Sequence, residues 1–408
     1  MFGKLWEEIE GIGRDAHTGG YRRYAWNDAD LEMREWFAST AGARGLDYVE
    51  DGNGNQFAWW GSADKGSADK GNALMIGSHL DSVPYGGAFD GPLGIVSSFV
   101  AVDELVKDGF EPGRPIVIAN FADEEGARFG IACAGSQLLT GRLDSERALG
   151  LTDRDGFSLA EVLRSRGREP ERLGPDAEFL DRIGTFVELH VEQGKNLAYG
   201  DQGVGVASSI WPHGRYRFDF CGEANHAGAT AMADRRDPML AYAATVLAAR
   251  DRAVLREARA TFGRIEVEPG GTNAIPSRVR GWLDARAADD DTLTRLVDEL
   301  VAVARAEAES TGTTVDFTAE SVTGSVDFDG ALRDDLSALL GDAPILPTGA
   351  GHDAGVLSDY GIDTAMLFVR NPTGVSHSPA EFADESDCLA GVAALKCVIA
   401  HLAGGDPP

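Results

Sequence analysis

A histidine and an aspartate stand in one glycine-rich part of the chain. His79 follows a short apolar run in GSHLDSV, and Asp90 follows in GGAFDGPLG. Glycine-rich backbone lets both side chains approach one cation, and Asp81 can accept the other imidazole N–H and fix the tautomer of His79. Taken alone, the pair can also be read as a loop histidine and a turn aspartate. The segment therefore suggests a metal site that other residues must complete.

Two adjacent glutamates, Glu124 and Glu125, follow the apolar segment PIVIANF in DEEGARFG. Neighbouring side chains at the end of a strand diverge, so the two carboxylates cannot perform the same task. One can bind a metal while the other, facing an activated water, serves as general base. Exposed Glu-Glu pairs are common on protein surfaces, and that alternative stays open for this pair taken alone.

Two further histidines are candidate metal ligands. His190 stands among apolar residues in TFVELHVEQG, and His377 stands in the polar turn GVSHSPAE near the C-terminus. A neutral imidazole is a common metal ligand. A lone histidine in an apolar strand is more often a core residue, and one in a turn is weak evidence for a site.

Together these segments supply five nitrogen and oxygen ligands, which are His79, Asp90, Glu125, His190 and His377. Five ligands suffice for two divalent cations about 3.5–4 Å apart if one carboxylate, best Asp90, bridges them. Such a pair of cations lowers the pKa of a water and polarises a carbonyl. The chain has only eight histidines, so their concentration in glycine-flanked motifs favours a metal site over packing.

The elements that must position these side chains are predicted from apolar patterns. Apolar runs such as Ala73–Ile76 and Pro115–Phe121 alternate with helix-like stretches such as Ile95–Val106. This alternation predicts an α/β sheet with crossover helices. In open α/β sheets, ligands bind beyond the carboxyl ends of the strands. The polar motifs fall at those ends, so the predicted fold gathers them in one site.

The pattern changes near Arg215. The next segments are strand-like Tyr216–Phe220, helix-like Met239–Arg252, strand-like Gly263–Glu268 and Val279–Ala285, and helix-like Asp291–Thr311. This β-α-β-β-α order predicts a compact α+β module inserted in a larger domain. The α/β pattern then resumes near Leu339 and ends in a helix-like Asp387–Leu402. We predict a discontinuous catalytic domain of residues 1–210 and 326–408, with residues 211–325 inserted.

Composition limits the partners and the location. A formal net charge of −29 and a pI near 4.6 argue against binding to nucleic acid or anionic membranes. No uninterrupted apolar run has the roughly 18 residues of a membrane span, and the N-terminus lacks a signal pattern, so we expect a cytoplasmic protein. The four cysteines lack CxxC spacing, which predicts buried thiols without disulfides or a zinc knuckle. A tandem SADKG at 62–71 is interpreted as a surface-loop insertion.

The chain resembles the M20 metallopeptidase-like family, and within it the branch of N-carbamoyl-L-amino-acid hydrolases, β-ureidopropionases and allantoate amidohydrolases. The resemblance covers nearly the whole chain and rests on motifs in the family's order: GSHLDSVPYGGAFDGPLG, DEEGARFG, ELHVEQG, GEANHAGAT, GTNAIP, GAGHDA and GVSHSPAE. It implies a mixed-sheet α/β catalytic domain like that of zinc exopeptidases, with an inserted α+β dimerisation or lid domain. It also implies two divalent metal ions per subunit, zinc, manganese, cobalt or nickel, bound by the five ligands above.

The resemblance also implies roles in catalysis. Asp81 would orient His79, and Glu124 would be the general base. His226, in GEANHAGAT, would stabilise the oxyanion in the active site of the partner subunit of a homodimer. A polar turn histidine is the local alternative for His226.

Further residues would contact the substrate. Asn273, in GTNAIP, and Arg286 would bind its carboxylate, a task that suits the planar guanidinium. Gln193 and His352 match positions of the family near the substrate. A surface arginine at the end of a strand is the alternative for Arg286.

Two segments depart from the family's usual pattern. Arg370 lies in FVRNPTG before the last metal histidine, and Trp211 and His213 lie in IWPHG at the start of the inserted domain. Arg370 can add an anion contact, and Trp211 and His213 can line a pocket, but each also has a structural interpretation. These departures affect the identity of the substrate and leave the metal chemistry unchanged.

The predicted function is therefore hydrolysis of the ureido C–N bond of a small carboxylate substrate, either allantoate or an N-carbamoyl-L-amino acid, with release of ammonia and carbon dioxide. A peptidase or N-acyl-amino-acid deacylase of the same family is the alternative enzyme, and GEANHAGAT with GTNAIP and Arg286 favours the ureido branch. A binding protein without activity is the alternative from another class. The intact Glu124 and the complete ligand set argue against that alternative.

Overall fold

The structure is a computed structural model that describes residues 1–61 and 71–404. The tandem SADKG segment falls almost wholly on residues 62–70 and so lies outside the described residues. The chain divides into two compact units, which are Met1–Ser208 with Asp327–Pro408, and Ser209–Val326. The catalytic role predicted for the first and the dimerisation or lid role predicted for the second remain proposals.

The first unit is a mixed α/β structure. Its helices are α1 Phe2–Ile9, α2 Asp28–Ala43, α3 Pro92–Lys107, α4 Ala134–Leu139, α5 Ser145–Leu149, α6 Leu159–Ser165, α7 Ala177–Leu180, α10 Gly330–Leu339, α11 Asp353–Tyr360 and α12 Glu385–Ala403. Its strands are β1 Asp47–Glu50, β2 Gln56–Trp60, β3 Ala73–His79, β4 Ile116–Phe121, β5 Ile183–Val191, β14 Ile345–Thr348 and β15 Asp363–Val369. The chain passes between the units in β6 Val204–Ile210 and β13 Val326–Asp327. Short 3-10 turns lie at Pro170–Arg172 and Leu197–Tyr199.

One sheet organises this unit, with strand order β1-β2-β4-β3-β5-β15-β6-β13 and β14 paired to β6. The central strands β4, β3, β5 and β15 run parallel, whereas β2 and β6 flank them antiparallel. Every residue of β3 and β4 is buried, as expected for strands covered on both faces. The mixed sheet confirms the predicted fold class, and the parallel centre brings four strand ends to one edge.

Helix α12 is long and apolar enough to cross a membrane by length and composition alone. The sequence has no uninterrupted apolar run of that length, because the charged residues Asp387 and Lys396 separate the apolar residues of this helix. Half of its most apolar window is buried inside the unit, and Leu395, Val398 and Ile399 belong to the hydrophobic core beside the sheet. This packing is that of a core helix.

The second unit is an antiparallel sheet with two long helices. It comprises β7 His213–Cys221, β8 Asn225–His226, a 3-10 turn at Met232–Asp234, α8 Pro238–Leu255, β9 Arg259–Glu268, β10 Ala274–Ile275, β11 Arg278–Arg286, α9 Asp290–Ser310 and β12 Thr314–Thr323. The main sheet has the order β12-β7-β11-β9, and β8 pairs with β10. Phe218 and Leu283 from the sheet share a buried core with Leu296 and Leu300 of α9. The predicted β-α-β-β-α order was incomplete, because it lacks β12, which pairs with β7.

Candidate metal centre and active site

The carboxyl ends of the central strands bring the five predicted ligands together. His79 is the last residue of β3, and His190 lies one residue before the end of β5. Asp90 comes just before α3, Glu125 follows the end of β4, and His377 lies between β15 and α12. Gly91 separates Asp90 from the helix with φ of +84°, and a Cβ there would lie 2.5 Å from the His79 ring. The close approach of backbone to imidazole therefore requires glycine at this position.

Asp90 lies at the centre of the cluster. Its Oδ1 is 3.1 Å from His190 Nε2 and 3.5 Å from His79 Nε2, and its Oδ2 is 3.6 Å from His377 Nε2. His377 Nε2 is also 3.4 Å from Glu125 Oε2. The donors thus form two groups, each with ligand atoms within 4.8 Å of one another: His79, Asp90 and His190, and then Asp90, Glu125 and His377. Asp90 is the member that the groups share.

The hydrogen bonds of the two buried histidines favour metal binding over packing. His79 Nδ1 is 3.2 Å from the Asp81 carbonyl oxygen, and His190 Nδ1 is 2.8 Å from the Val191 carbonyl oxygen. A carbonyl can only accept, so each Nδ1 carries a proton, and in the neutral ring each Nε2 keeps a lone pair for a metal. Both Nε2 atoms are buried and have no hydrogen-bond partner. A divalent cation fits these two atoms and the Asp90 oxygen between them.

Asp81 contacts more than the histidine that it was predicted to orient. Its Oδ1 lies 3.5 Å from His79 Nδ1. Its two oxygens also accept the backbone N–H groups of Glu124 and Glu125, each at 3.1 Å. Asp81 therefore joins the turn after β3 to the turn that carries both glutamates.

Glu124, the predicted general base, is buried beside the ligands. Its Oε2 lies 3.8 Å from His79 Nε2, and its Oε1 accepts the Cys133 thiol at 3.5 Å. Burial, followed by the negative charges of Asp353 and Glu125, raises the pKa of Glu124 well above its usual value, although His79 opposes the shift. Glu124 is in neither ligand group, which leaves its carboxylate available for proton transfer.

The charges of the cluster call for a cation. Burial alone would lower the pKa of His79, but Glu124 and the contacts with Asp81 and Asp90 raise it well above its usual value. Burial alone would raise the pKa of Asp90, but His190 and His79 hold it well below its usual value. The carboxylates thus draw protons onto the histidines, and bound divalent cations would supply the same positive charge.

A second layer of side chains holds Asp90. Gln193, predicted near the substrate, donates its amide to Asp90 Oδ2 at 2.7 Å, and the Ser376 hydroxyl donates to the same oxygen at 3.0 Å. Glu381 accepts the backbone N–H of Asp90 at 3.0 Å. Burial and the charge of Asp90 raise the pKa of Glu381 to about 7. Sequence reasoning assigned no role to Ser376 or Glu381, although both stand in GVSHSPAE.

A buried polar group lies next to His190. His352, also predicted near the substrate, has its ring centroid 4.6 Å from that of His190, and neither of its nitrogens has a hydrogen-bond partner. Burial and the charge of His190 lower the pKa of His352 well below its usual value. The carboxylate of Glu188 in β5 accepts hydrogen bonds from the Ser78 hydroxyl at 2.7 Å and from the Ala354 backbone N–H at 3.1 Å. A glutamate among the apolar residues of ELHVEQG was the available signal for Glu188, for which no role was predicted.

In the second unit, His226 and Asn273 lie on paired segments. His226 is opposite Ala274 in the β8–β10 pair, and the Ala227 N–H donates to the Asn273 carbonyl oxygen at 2.9 Å. His226 is exposed. Its Nδ1 accepts backbone N–H groups of Gly228 at 3.0 Å and Ala229 at 3.1 Å. The neutral ring must then carry its proton on Nε2, so an N–H donor is presented to solvent.

Arg286 is held within its own strand. Its Nε and Nη2 donate to the two oxygens of Asp284 at 2.8 Å and 3.1 Å. His213 is opposite Arg286 in the β7–β11 register, and burial, followed by the positive charge of Arg286, lowers the pKa of His213. Trp211 lies under Arg259, whose guanidinium carbon is 5.5 Å from the ring centroid.

Arg370 makes a two-pronged ion pair with Asp387 in α12, through Nε at 2.9 Å and Nη2 at 2.8 Å. The pair joins the end of β15 to the last helix. This geometry supports the structural interpretation of Arg370 over an anion contact.

Comparison with known proteins gives one consistent result. The profile of peptidase family M20/M25/M40 matches residues 75–401. The chain is 34% identical to an N-carbamoyl-L-amino acid amidohydrolase from Geobacillus stearothermophilus, across 99% of each chain. It is 29% identical to an allantoate amidohydrolase from Escherichia coli, across 97% of this chain and 96% of that one. A solved amidase of the hydantoinase/carbamoylase family from Burkholderia multivorans superposes with a TM-score of 0.86 at 29% identity, across 99% of this chain and 98% of that one.

Proposed function

Because the chain belongs to peptidase family M20/M25/M40, we propose that it is a metal-dependent amidohydrolase that cleaves the ureido C–N bond of a small carboxylate substrate. The observation that supports this most is the position of Asp90 between two groups of ligands, with the buried Glu124 beside them. The names of its relatives, an N-carbamoyl-L-amino acid amidohydrolase and an allantoate amidohydrolase, give the substrate class.

The five predicted residues would hold the two divalent cations, and Asp90 belongs to both groups of candidate ligands. Zinc, manganese, cobalt and nickel all suit a mixed set of imidazoles and carboxylates. The cations, when bound, lower the pKa of a water and polarise the scissile carbonyl. The free Nε2 atoms of His79 and His190 are the donors that make the site fit such ions.

The protein's own groups would handle the protons. Glu124 takes a proton from the attacking water as the C–O bond forms, and then gives it to the nitrogen as the C–N bond breaks. The Nε2–H of His226 donates to the oxyanion, reaching the active site of the partner subunit in a homodimer. Asn273 and Arg286 bind the substrate carboxylate, with Gln193 and His352 near the substrate. Hydrolysis of a terminal ureido group releases ammonia and a carbamate, which loses carbon dioxide.

A substrate screen tests the proposal. Allantoate, N-carbamoyl-L-amino acids, N-carbamoyl-β-alanine and N-acetyl-amino acids would be incubated with the manganese-supplemented protein, and ammonia and free amine would be measured. Ammonia release from one of the ureido compounds is expected. Turnover of the N-acetyl compounds alone would instead support the deacylase alternative, and binding without turnover would support the inactive alternative.

We place the enzyme in the cytoplasm, where its four free cysteines stay reduced.

Replacement of Arg286 by lysine is expected to raise KM strongly for carboxylate substrates and to change kcat little. An ammonium group is a point charge and cannot reproduce the two parallel N–H donors of a guanidinium. Steady-state kinetics on the substrate and on its carboxamide analogue measure the effect. The increase should vanish for the carboxamide. An equal loss on both compounds would show that Arg286, through its pair with Asp284, supports structure only.

Mixing two inactive variants is expected to restore activity if the active site is shared. In a mixed dimer of Glu124→Gln and His226→Ala subunits, one site carries both changes and the other carries neither. Random exchange makes about half of the dimers mixed, so roughly a quarter of all sites recover. Ammonia release is measured after exchange has been verified by mass spectrometry of labelled subunits. If His226 acted within its own chain, every site would keep one change and no activity would return.

A further inference from the structure

Glu381 connects the two turns that hold opposite sides of the candidate metal centre. Its Oε1 accepts the backbone N–H groups of Phe89 at 2.8 Å and Asp90 at 3.0 Å. Its Oε2 lies 3.2 Å from the Ser376 hydroxyl, one residue before His377. Glu381 is only 5% exposed. A single buried carboxylate thus contacts the backbone of one ligand and the neighbour of another.

Ser376 completes a closed ring of contacts. Its hydroxyl lies 3.0 Å from Asp90 Oδ2 as well as 3.2 Å from Glu381 Oε2. A hydroxyl has one proton, so it donates to one of these oxygens at a time. The Asp90 side chain and the Asp90 backbone are therefore held by two residues of the same turn.

The fit around Glu381 is tight. A Cβ at Gly87 would lie 2.3 Å from Glu381 Oε1 and 2.4 Å from its Cβ. The glycine-rich turn before Asp90 therefore packs directly on this side chain. The turn has little freedom to move while the carboxylate is in place.

We propose that Glu381 is a positioning residue that fixes the distance between Asp90 and His377, and thereby determines the affinity of the metal centre. This inference rests on the proposed function, because it needs Asp90 and His377 to be ligands. Side chains that orient metal ligands typically contribute 10–100-fold to metal affinity or activity. Glu381 acts here through the backbone of Asp90 and through Ser376, without contacting a substrate.

Two substitutions of Glu381 separate the effect of its contacts from the effect of its charge, and a third tests Ser376. Glu381→Ala removes every contact and is expected to weaken Mn²⁺ binding by about 10–100-fold. Glu381→Gln keeps an oxygen for the two backbone N–H groups and offers an N–H to Ser376, so binding should stay within about threefold of wild type, well short of the loss for alanine. Ser376→Ala removes the hydroxyl alone and should weaken binding by about tenfold.

Titration calorimetry of chelator-treated full-length protein with Mn²⁺ alone measures this. Glu161→Ala is a matched control, because Glu161 also accepts a backbone N–H and a serine hydroxyl, both from Ser158, at 2.8 Å and 2.7 Å. It lies in α6, outside the proposed site, and should bind Mn²⁺ like wild type. Thermal unfolding of the metal-free proteins shows which variants are folded.

The outcomes separate the two ideas. Wild-type protein that binds none of Mn²⁺, Zn²⁺, Co²⁺ and Ni²⁺ would reject the proposed function itself. If the wild-type protein binds Mn²⁺ and folded Glu381→Ala binds it with the same affinity, only the positioning role would be overturned. If Glu381→Ala does not fold, Ser376→Ala decides, and an affinity equal to wild type in that variant would also overturn the proposal. Recovery in Glu381→Gln alongside loss in Glu381→Ala supports it.

Discussion

Removal of divalent cations by a strong chelator is expected to abolish hydrolysis, and addition of Mn²⁺, Co²⁺, Zn²⁺ or Ni²⁺ is expected to restore it. A suitable divalent ion lowers the pKa of a bound water from far above neutrality to about 7. In the proposed scheme the attacking group is a water, and the low pKa that it needs comes from the bound cations. Ammonia release before and after dialysis measures the effect.

Stability provides a second readout that does not depend on turnover. An ion that binds only the folded protein stabilises it by about 2.7 kcal/mol when present at 100 times its Kd. The unfolding temperature should therefore fall on chelation and rise again with the added ion. Circular dichroism of the chelated protein at assay temperature controls for unfolding. A folded, metal-free protein that keeps full activity would contradict the whole scheme.

The residues of the candidate metal centre could be predicted to lie together because their signals are local in sequence. His79 ends one fully buried strand and Glu125 follows another, and parallel strands end at the same edge of a sheet. The four helix-like stretches that were predicted also match helices closely. The sequence placed one at Met239–Arg252, and the structure has Pro238–Leu255, which begins with an Asp237 cap and a proline in its first turn.

The strand β12 was missed although its sequence carries a weak strand signal. Thr314–Thr323 reads TVDFTAESVT, and most of its residues face solvent. Only Val315 and Phe317 pack against the core of the second unit. Val315, Phe317 and Ala319 nevertheless alternate with polar residues, a pattern that indicates a half-buried strand. The strand exists because β7 offers it a long antiparallel partner, which depends on tertiary structure.

The supporting contacts of the site could not be predicted, because they join residues that are far apart in the sequence. Glu381 reaches Asp90 across 291 residues of sequence, and Asp81 reaches the backbone of Glu124 across 43. Neither contact leaves a periodic or compositional trace. Asp284 and Arg286 differ, because residues two apart in a strand share a face. Their pair could have been read from LDAR, and it changes how Arg286 would meet a substrate.

Replacement of Glu124 by glutamine is expected to lower kcat by at least about 100-fold, the low end of what general bases contribute and equal to about 2.7 kcal/mol of barrier. Glutamine keeps the size of the side chain and can still accept the Cys133 thiol, but it cannot take a proton from water. KM should change little, because the proposed substrate contacts come from other residues. Steady-state kinetics and elemental analysis of the purified variant measure kcat and metal content.

Glu125→Gln provides the matched comparison, because the two glutamates are adjacent and both are held by Asp81. Glu125 lies 3.4 Å from His377 in the second ligand group, so its replacement should lower metal content, and part of the activity should return at high Mn²⁺. Glu124→Gln should keep its metal and stay slow at any Mn²⁺ concentration, because the missing group is a proton carrier. Near-normal turnover in Glu124→Gln, or rescue of that variant by Mn²⁺, would transfer the role of general base to another residue.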